Sequence, residues 1–162
     1  MRPHGLLLLT LSSFALLAAC SDDNGDGNTP VTVDVSGSWN YRIDVTVANG
    51  VCAGEEDADP STDLVTIVAI DPNGDGTYDV TASGFLGDPT AEITGTVTGV
   101  TQVGDQLTLT GSYPEDGGVT TTTHRLTIKS ETRLEGTEDW SWTNGTESCP
   151  NGKADVVVTK VP

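Results

Sequence analysis

Eight short segments of alternating polar and apolar residues constrain the fold of this chain more than any other feature. In the first segment, Trp39, Tyr41, Ile43, Val45 and Val47 fall on one face, with polar residues between them. A period of two residues is typical of half-buried β-strands. The other segments are rich in threonine and valine and span residues 64–70, 77–82, 91–97, 106–112, 121–129, 133–143 and 154–160. Because no stretch of useful length has a helical apolar stripe, the sequence predicts an all-β domain over residues 35–162.

The connections between these segments favour antiparallel neighbours. Eight antiparallel strands close into an up-and-down barrel, which leaves neither edge unpaired. Because successive strands alternate in direction, the longer connections gather at one end of the barrel, over residues 48–63, 83–90, 114–120 and 144–153. We therefore expect an eight-stranded antiparallel barrel whose longer loops lie away from the N-terminus. A two-sheet β-sandwich is the alternative.

The N-terminal segment has the organisation of a secretory signal. Arg2 precedes an apolar run from Leu6 to Leu17, which is too short to cross a bilayer as a permanent helix. The residues Leu17-Ala18-Ala19-Cys20 resemble the lipobox of bacterial lipoproteins. The resemblance implies that residues 1–19 are removed as a signal peptide and that Cys20 becomes an acylated N-terminus in the bacterial cell envelope.

The segment after Cys20 is polar and acidic. From Ser21 to Pro30 it has no apolar residue to bury, and its aspartates repel one another. We expect residues 20–34 to form a disordered, lipidated tether. Serine rather than aspartate follows the cysteine, which by resemblance to lipoprotein sorting signals implies the outer membrane. The acidic run that follows resembles the tethers of lipoproteins exposed on the cell surface.

The formal net charge of −17 limits the partners of the protein. It argues against nucleic acid and against adsorption to anionic lipid, because both would repel the chain. We expect a monomer that contacts the membrane only through the acyl chains on Cys20. With Cys20 acylated, Cys52 and Cys149 remain as a pair in an oxidising compartment. Closure of the barrel would bring these two cysteines together at its far end, so we predict a disulfide.

The start of the first segment resembles a known family. Gly37-Ser38-Trp39 is similar to the Gly-x-Trp motif of lipocalins and related calycins. The resemblance implies that Trp39 plugs the closed end of the barrel and that a basic residue of the last strand, here Lys160, packs across it. A small hydrophobic ligand and a protein partner are the two kinds of partner that we consider for such a domain. Two features depart from the family: no helix is expected after the last strand, and an aromatic content of 5% argues against a large cavity.

One connection has the spacing of a calcium loop. Asp71, Asn73, Asp75 and Asp79 provide oxygen atoms at positions 1, 3, 5 and 9, with glycine at position 6. The loop resembles the calcium hairpins of β-propeller repeats more than an EF-hand, because position 12 is Ala82. A hairpin turn rich in Asn, Gly and Asp is the alternative interpretation. Calcium is therefore the one cofactor that the sequence suggests.

The sixth and seventh segments place two ionisable side chains inside the barrel. A three-residue turn at residues 130–132 pairs His124 with Glu138 on the inward face. Such a pair can bind a polar ligand, act as an acid–base pair, or satisfy its own hydrogen bonds and fix the register. No glycine-flanked nucleophilic serine, zinc-ligand set or phosphate-cradling loop is present in the sequence.

The far-end loops carry many carboxylates. They are Glu55, Glu56, Asp57, Asp59, Asp88, Glu115, Asp116 and Glu147. A ring of this kind can meet a cation or a basic partner, or it can act as a solvated rim. The sequence favours a non-enzymatic, lipid-anchored envelope protein that binds a small ligand or a protein partner at its membrane-distal loops. The alternatives are a calcium-stabilised structural surface protein and a barrel enzyme that uses His124 and Glu138.

Overall fold

The computed structural model describes residues 33–56 and 60–162, which form a closed antiparallel β-barrel. The eight strands follow one another around the barrel in chain order, so the expected up-and-down topology is confirmed and the sandwich alternative is wrong. The strands are β1 (Gly37–Val47), β2 (Ser61–Ile70), β3 (Thr77–Ser83), β4 (Glu92–Thr98), β5 (Gln106–Glu115), β6 (Gly118–Ser130), β7 (Arg133–Thr143) and β8 (Ser148–Lys160).

The N-terminal predictions fall outside the described part of the chain. The signal peptide of residues 1–19, the acylation site Cys20 and most of the tether of residues 20–34 are among them. Within residues 33–56 and 60–162, no helix is long and apolar enough to span a membrane.

Pairing of the first strand with the last closes the barrel. β1 and β8 are antiparallel, and their register runs from Trp39 opposite Lys160 to Val47 opposite Lys153, with a bulge between Val45 and Val47. The closed end is the end of the barrel where β1 begins and β8 finishes. The mouth is the opposite end, formed by the β1–β2, β3–β4, β5–β6 and β7–β8 connections.

Two connections at the mouth are shorter than the sequence pattern predicts. β5 and β6 continue to Glu115 and Gly118, so only Asp116 and Gly117 separate them. Both turn residues have positive φ, 45° and 72°, as a two-residue hairpin turn of the type I′ kind requires. β8 begins at Ser148 rather than at residue 154, because a bulge opposite Trp140 and Trp142 allows pairing to continue past Pro150.

The closed half of the barrel is filled by a hydrophobic core. Its buried side chains come from every strand and include Val65, Ile67, Val80, Ile93, Leu107, Leu109, Leu126, Ile128, Leu134, Val156 and Val158. Each lies on the inward face that the period-two alternation predicts.

Trp39 seals the closed end. Its indole is fully buried and donates a hydrogen bond of 2.9 Å to the carbonyl oxygen of Val35. Lys160 Nζ lies 5.3 Å from the centre of the Trp39 ring and donates to the carbonyl oxygen of Asp34 at 2.8 Å. Val33 is also fully buried, so the packed part of the chain begins within the predicted tether of residues 20–34 and includes Val33 and Asp34.

A disulfide joins the β1–β2 connection to β8. Cys52 ends the short 3-10 turn Gly50–Cys52, and Cys149 is the second residue of β8. Their Cα atoms are 5.5 Å apart, within the distance of about 7 Å that a disulfide can bridge. The bond closes a sequence separation of 97 residues and fixes one side of the mouth.

Loss of this disulfide is expected to destabilise the barrel substantially. Closing so long a loop restricts the unfolded chain, by roughly 4 to 5 kcal/mol in the chain-entropy model as an upper figure. Replacing Cys52→Ser together with Cys149→Ser should lower the free energy of unfolding by several kcal/mol, as measured by urea denaturation. Reducing agent should destabilise the parent chain and leave the double variant unchanged. Equal stability of the oxidised parent and the double variant would contradict the prediction.

Candidate functional site

The mouth of the barrel opens into a cavity with a volume of about 380 Å³. Residues from β1, β2, β5, β6 and β7 form its walls, and the β1–β2, β3–β4, β5–β6 and β7–β8 connections form its rim. Its apolar and aromatic lining residues are Ile43, Val45, Val51, Leu86, Tyr113, Trp140 and Trp142. Its acidic lining residues are Glu55, Asp63, Glu115, Asp116, Glu138 and Glu147. The site therefore combines apolar walls with carboxylates.

A layer of aromatic rings separates this cavity from the filled half of the barrel. Phe85 enters the barrel from the short 3-10 turn Phe85–Gly87 in the β3–β4 connection, and its side chain is buried. Its ring is stacked on Tyr113, with 5.7 Å between ring centres, and meets Tyr41 edge to face at 5.2 Å. His124 is edge to face with Tyr41 at 5.3 Å. Tyr113 lines the cavity, and the rings packed behind it complete the floor of the pocket.

Beneath the cavity, a chain of hydrogen bonds connects Tyr41, His124, Thr122 and Glu138. The register of β6 and β7 places His124 opposite Glu138. The Tyr41 hydroxyl is bonded to His124 Nδ1, His124 Nε2 lies 3.0 Å from Thr122 Oγ1, and the Thr122 hydroxyl donates to Glu138 Oε1. With Glu138 ionised, every group has one consistent role: Tyr41 donates to Nδ1, and the Nε2–H of a neutral His124 donates to Thr122.

Burial keeps this histidine and this carboxylate from forming an ion pair, although Nε2 and Oε1 are only 3.6 Å apart. Burial lowers the pKa of His124 to about 3, so the imidazole is neutral near pH 7. Burial also raises the pKa of Glu138 to about 7; the hydrogen bond from Thr122 opposes this increase, and the nearby Glu115 adds to it. Burial raises the pKa of Tyr41 as well, so its hydroxyl keeps its proton.

Two indoles form the wall of the cavity beside Glu138. Trp140 lies against Gly152 of β8, where a Cβ atom would be 2.1 Å from the ring. Trp142 lies against Gly118 of β6 and donates a hydrogen bond of 2.8 Å to the carbonyl oxygen of Glu115. These glycines are required because any side chain would displace the rings. The Trp140 Nε1–H is buried and has no hydrogen-bond partner among the described residues.

The positive charges of the described chain lie away from the cavity. Over residues 33–56 and 60–162, no lysine, arginine or histidine lines it. On the outer wall, Asp139 accepts hydrogen bonds from Arg125 and from Lys153, the latter at 2.7 Å. Arg133 is paired with Glu135 at 2.6 Å, and Lys160 lies at the closed end. In the described part of the chain, lysines and arginines thus lie on the outer wall and at the closed end, whereas the charged side chains that line the cavity are all carboxylates.

The predicted calcium loop lies at the closed end, between β2 and β3. The carboxylate of Asp71 accepts hydrogen bonds from the backbone N–H groups of Gly74, Asp75 and Gly76. These bonds, that from Gly76 above all, lower the pKa of Asp71. Over residues 33–56 and 60–162, no three acidic, histidine or cysteine side chains are close enough to hold a metal ion. The loop bonds of Asp71 are those of a tight turn; calcium binding by Asp71, Asn73, Asp75 and Asp79 stays a prediction.

Four of the eight far-end loop carboxylates predicted from the sequence line the cavity. They are Glu55, Glu115, Asp116 and Glu147. The side chain of Glu56 instead accepts from the backbone N–H groups of Ala48 and Gly54, and that of Asp88 bonds Thr90. Asp57 and Asp59 lie outside the described residues.

Sequence reasoning missed the Phe85 floor and the Tyr41–His124 bond. An apolar Phe-Leu pair between Gly84 and Gly87 was the only available signal for the first. The second joins strands that are far apart in the sequence, so no local pattern indicates it.

Comparison with protein-family models, with curated proteins and with solved structures finds no significant match to this chain.

Replacing Glu138→Gln is expected to change how stability depends on pH. The folded-state pKa of Glu138 is raised to about 7 from 4.5, so its contribution to stability is complete below pH 4.5 and is lost as the pH rises towards 7. The variant lacks this loss. Its free energy of unfolding relative to the parent should therefore increase between pH 4.5 and pH 7, by about 3 kcal/mol. Urea denaturation at both pH values measures the difference.

Glu135→Gln is the matched control, because Glu135 lies on the same strand but is paired with Arg133 on the outer wall. Its stability relative to the parent should vary little over this pH range. A difference between Glu138→Gln and the parent that stays constant with pH would show that Glu138 titrates normally in the folded protein.

Proposed function

We propose that this protein is a lipid-anchored, non-enzymatic binding protein of the bacterial cell envelope, whose barrel takes a small ligand at its mouth. The observation that carries the proposal is the cavity of about 380 Å³ lined by Trp140, Trp142 and Glu138. Small-molecule sites are typically concave, mostly apolar and about 300–1,000 Å³ in volume, with a few polar groups that orient the ligand. The lipocalin-like Gly37-Ser38-Trp39 motif supports a ligand in this position.

The direction of the mouth also supports the proposal. The described chain begins at Val33, which packs at the closed end and donates a backbone hydrogen bond to Thr101 in the β4–β5 connection. An anchor at Cys20 would therefore join the barrel at its closed end. The mouth then faces away from the membrane, where a ligand or partner has access to it.

The environment of His124 favours binding over catalysis. Both ring nitrogens are engaged, Nδ1 by Tyr41 and Nε2 by Thr122, and the side chain is fully buried. His124 does not line the cavity, whereas Glu138 does. An acid–base role would require the imidazole to reach a substrate through the Phe85 layer.

Acylation of Cys20 is expected to attach the protein to the membrane. Cys20→Ser should abolish incorporation of labelled fatty acid in a bacterial host and leave precursor or released protein. The double variant Cys52→Ser, Cys149→Ser is the control, because it removes the two other cysteines and should stay acylated. A Cys20→Ser protein that remained membrane-bound and of mature size would refute the anchor.

Filling the cavity is expected to abolish ligand uptake. The neutral dye N-phenyl-1-naphthylamine should show enhanced emission with the full chain in a neutral, non-micellar buffer. Ile43→Trp places a large ring in the cavity wall and should weaken dye binding at least about tenfold. Leu64→Trp, on the outer face of β2 where Leu64 is 63% exposed, is the control and should bind like the parent. Dye binding that Ile43→Trp does not weaken would show that the ligand site lies elsewhere than at the mouth.

A further inference from the structure

We propose that the ligand of the mouth is an organic cation, with an ammonium group on an apolar, preferably aromatic, body. This inference rests on the proposed binding function and names the class of ligand. It follows from the charges, the buried carboxylate and the indoles that meet in the same cavity.

The charges around the cavity select the sign of the ligand. Among the described residues, six carboxylate side chains line it, and no cationic side chain does. A concave site with charge of one sign and low-dielectric walls concentrates ions of the opposite sign. An overall negative protein has carboxylates on many surfaces, and some of them have cationic partners, as Asp139 has Arg125 and Lys153. Among the described residues, none of the six cavity carboxylates is paired with a lysine or an arginine. An anionic ligand would be repelled from the mouth.

Glu138 provides the specific contact. It is 3% exposed, and the small exposed part lies in the cavity lining. Thr122 occupies Oε1, whereas Oε2 accepts no hydrogen bond from the described residues. A buried carboxylate without a counter-charge is unfavourable, and a charged donor at the unoccupied oxygen would compensate for its burial. The cavity therefore presents one acceptor at its base to an incoming N–H group.

The two indoles suit the rest of such a ligand. Trp140 and Trp142 border Glu138 in the cavity wall, and indole is the aromatic group that attracts cations most strongly. Ile43 and Val45 on β1 add apolar surface to the same cavity. An ammonium group can thus meet a carboxylate and aromatic faces while its apolar body is buried.

A metal ion fits this site poorly. Over the described residues, no three acidic, histidine or cysteine side chains approach closely enough to hold one. A hard cation such as Ca²⁺ takes six to eight oxygen ligands at about 2.3–2.6 Å, and indoles provide none. The combination of dispersed carboxylates with apolar walls is better matched to an organic cation.

Three probes of similar size test the charge requirement: phenethylamine, phenethyl alcohol and phenylacetate. Each is titrated into the full chain, isotopically labelled, and the indole N–H resonances of the three tryptophans are followed by NMR. Phenethylamine should shift the Trp140 and Trp142 signals and leave that of Trp39, which is buried at the closed end, unchanged. It should bind at least about tenfold more tightly than the alcohol, and phenylacetate should not bind. Added salt should weaken binding of the amine alone.

Glu138→Gln tests the specific contact, since glutamine keeps the acceptor for Thr122 and removes the charge. The variant should bind phenethylamine at least about tenfold more weakly and phenethyl alcohol as well as the parent does. Glu135→Gln, which removes a charge from the outer face of the same strand, should bind all three probes like the parent.

The remaining outcomes separate this inference from the binding function itself. If phenethyl alcohol binds as tightly as the amine, the mouth is a ligand site but the cation requirement is wrong. If calcium competes with phenethylamine at lower concentration, the site is a metal site and the inference fails. If an oligolysine peptide shifts the indole signals and phenethylamine does not, the mouth recognises a basic protein instead. If neither the neutral dye nor any of the probes binds, both proposals fail.

Discussion

The pairing of β1 with β8 is the constraint on which the rest of the structure depends. A sheet of eight strands has two edges unless its first and last strands meet, and here they meet along a register from Trp39–Lys160 to Val47–Lys153. Once that register exists, Trp39 and Lys160 lie together at the closed end. The same pairing brings the β1–β2 connection next to the start of β8, where Cys52 and Cys149 are bonded. The closed end sealed by Trp39 and the Cys52–Cys149 disulfide thus both follow from the pairing of β1 with β8.

Closure also divides the interior into two parts with different chemistry. The closed half is filled by aliphatic side chains, whereas the half towards the mouth carries Tyr41, His124, Thr122 and Glu138. A polar group at this depth needs a partner, because an unsatisfied one costs on the order of 1–3 kcal/mol. Along β6 the inward positions change from Ile128 and Leu126 to His124 and Thr122, and β7 follows from Leu134 to Glu138. Within β6 and within β7, the inward side chains thus change from apolar to polar where the core ends and the pocket begins.

Much of this architecture could be predicted from the sequence, because period two and turn residues are local signals. They indicated eight strands and the inward face of β7, and a three-residue turn was enough to place His124 opposite Glu138. The sequence places the end of β5 and the starts of β6 and β8 wrongly, because it does not reveal the Asp116-Gly117 hairpin or the bulge of β8.

The pocket is harder to predict from the sequence than the strands are. Its floor depends on Phe85 folding back from a loop, and its wall on indoles that cover Gly118 and Gly152 of neighbouring strands. Both are long-range contacts that no local pattern encodes.

The buried series of hydrogen bonds that ends at Glu138 helps to explain why the mouth is open rather than filled. A carboxylate enclosed on all sides by aliphatic groups would be strongly destabilising, and replacing it by an apolar residue would be the simpler way to complete the core. Glu138 instead has a histidine and a threonine on its inner side and the cavity on its outer side. Thr122, rather than a cation of the protein, bonds its Oε1, so the negative charge is oriented but not neutralised. Its raised pKa has the same origin, because burial is opposed only by that one hydrogen bond. No cation of the described residues lines the cavity beside this carboxylate. The negative charge of Glu138 is therefore available to a cationic group that enters the cavity.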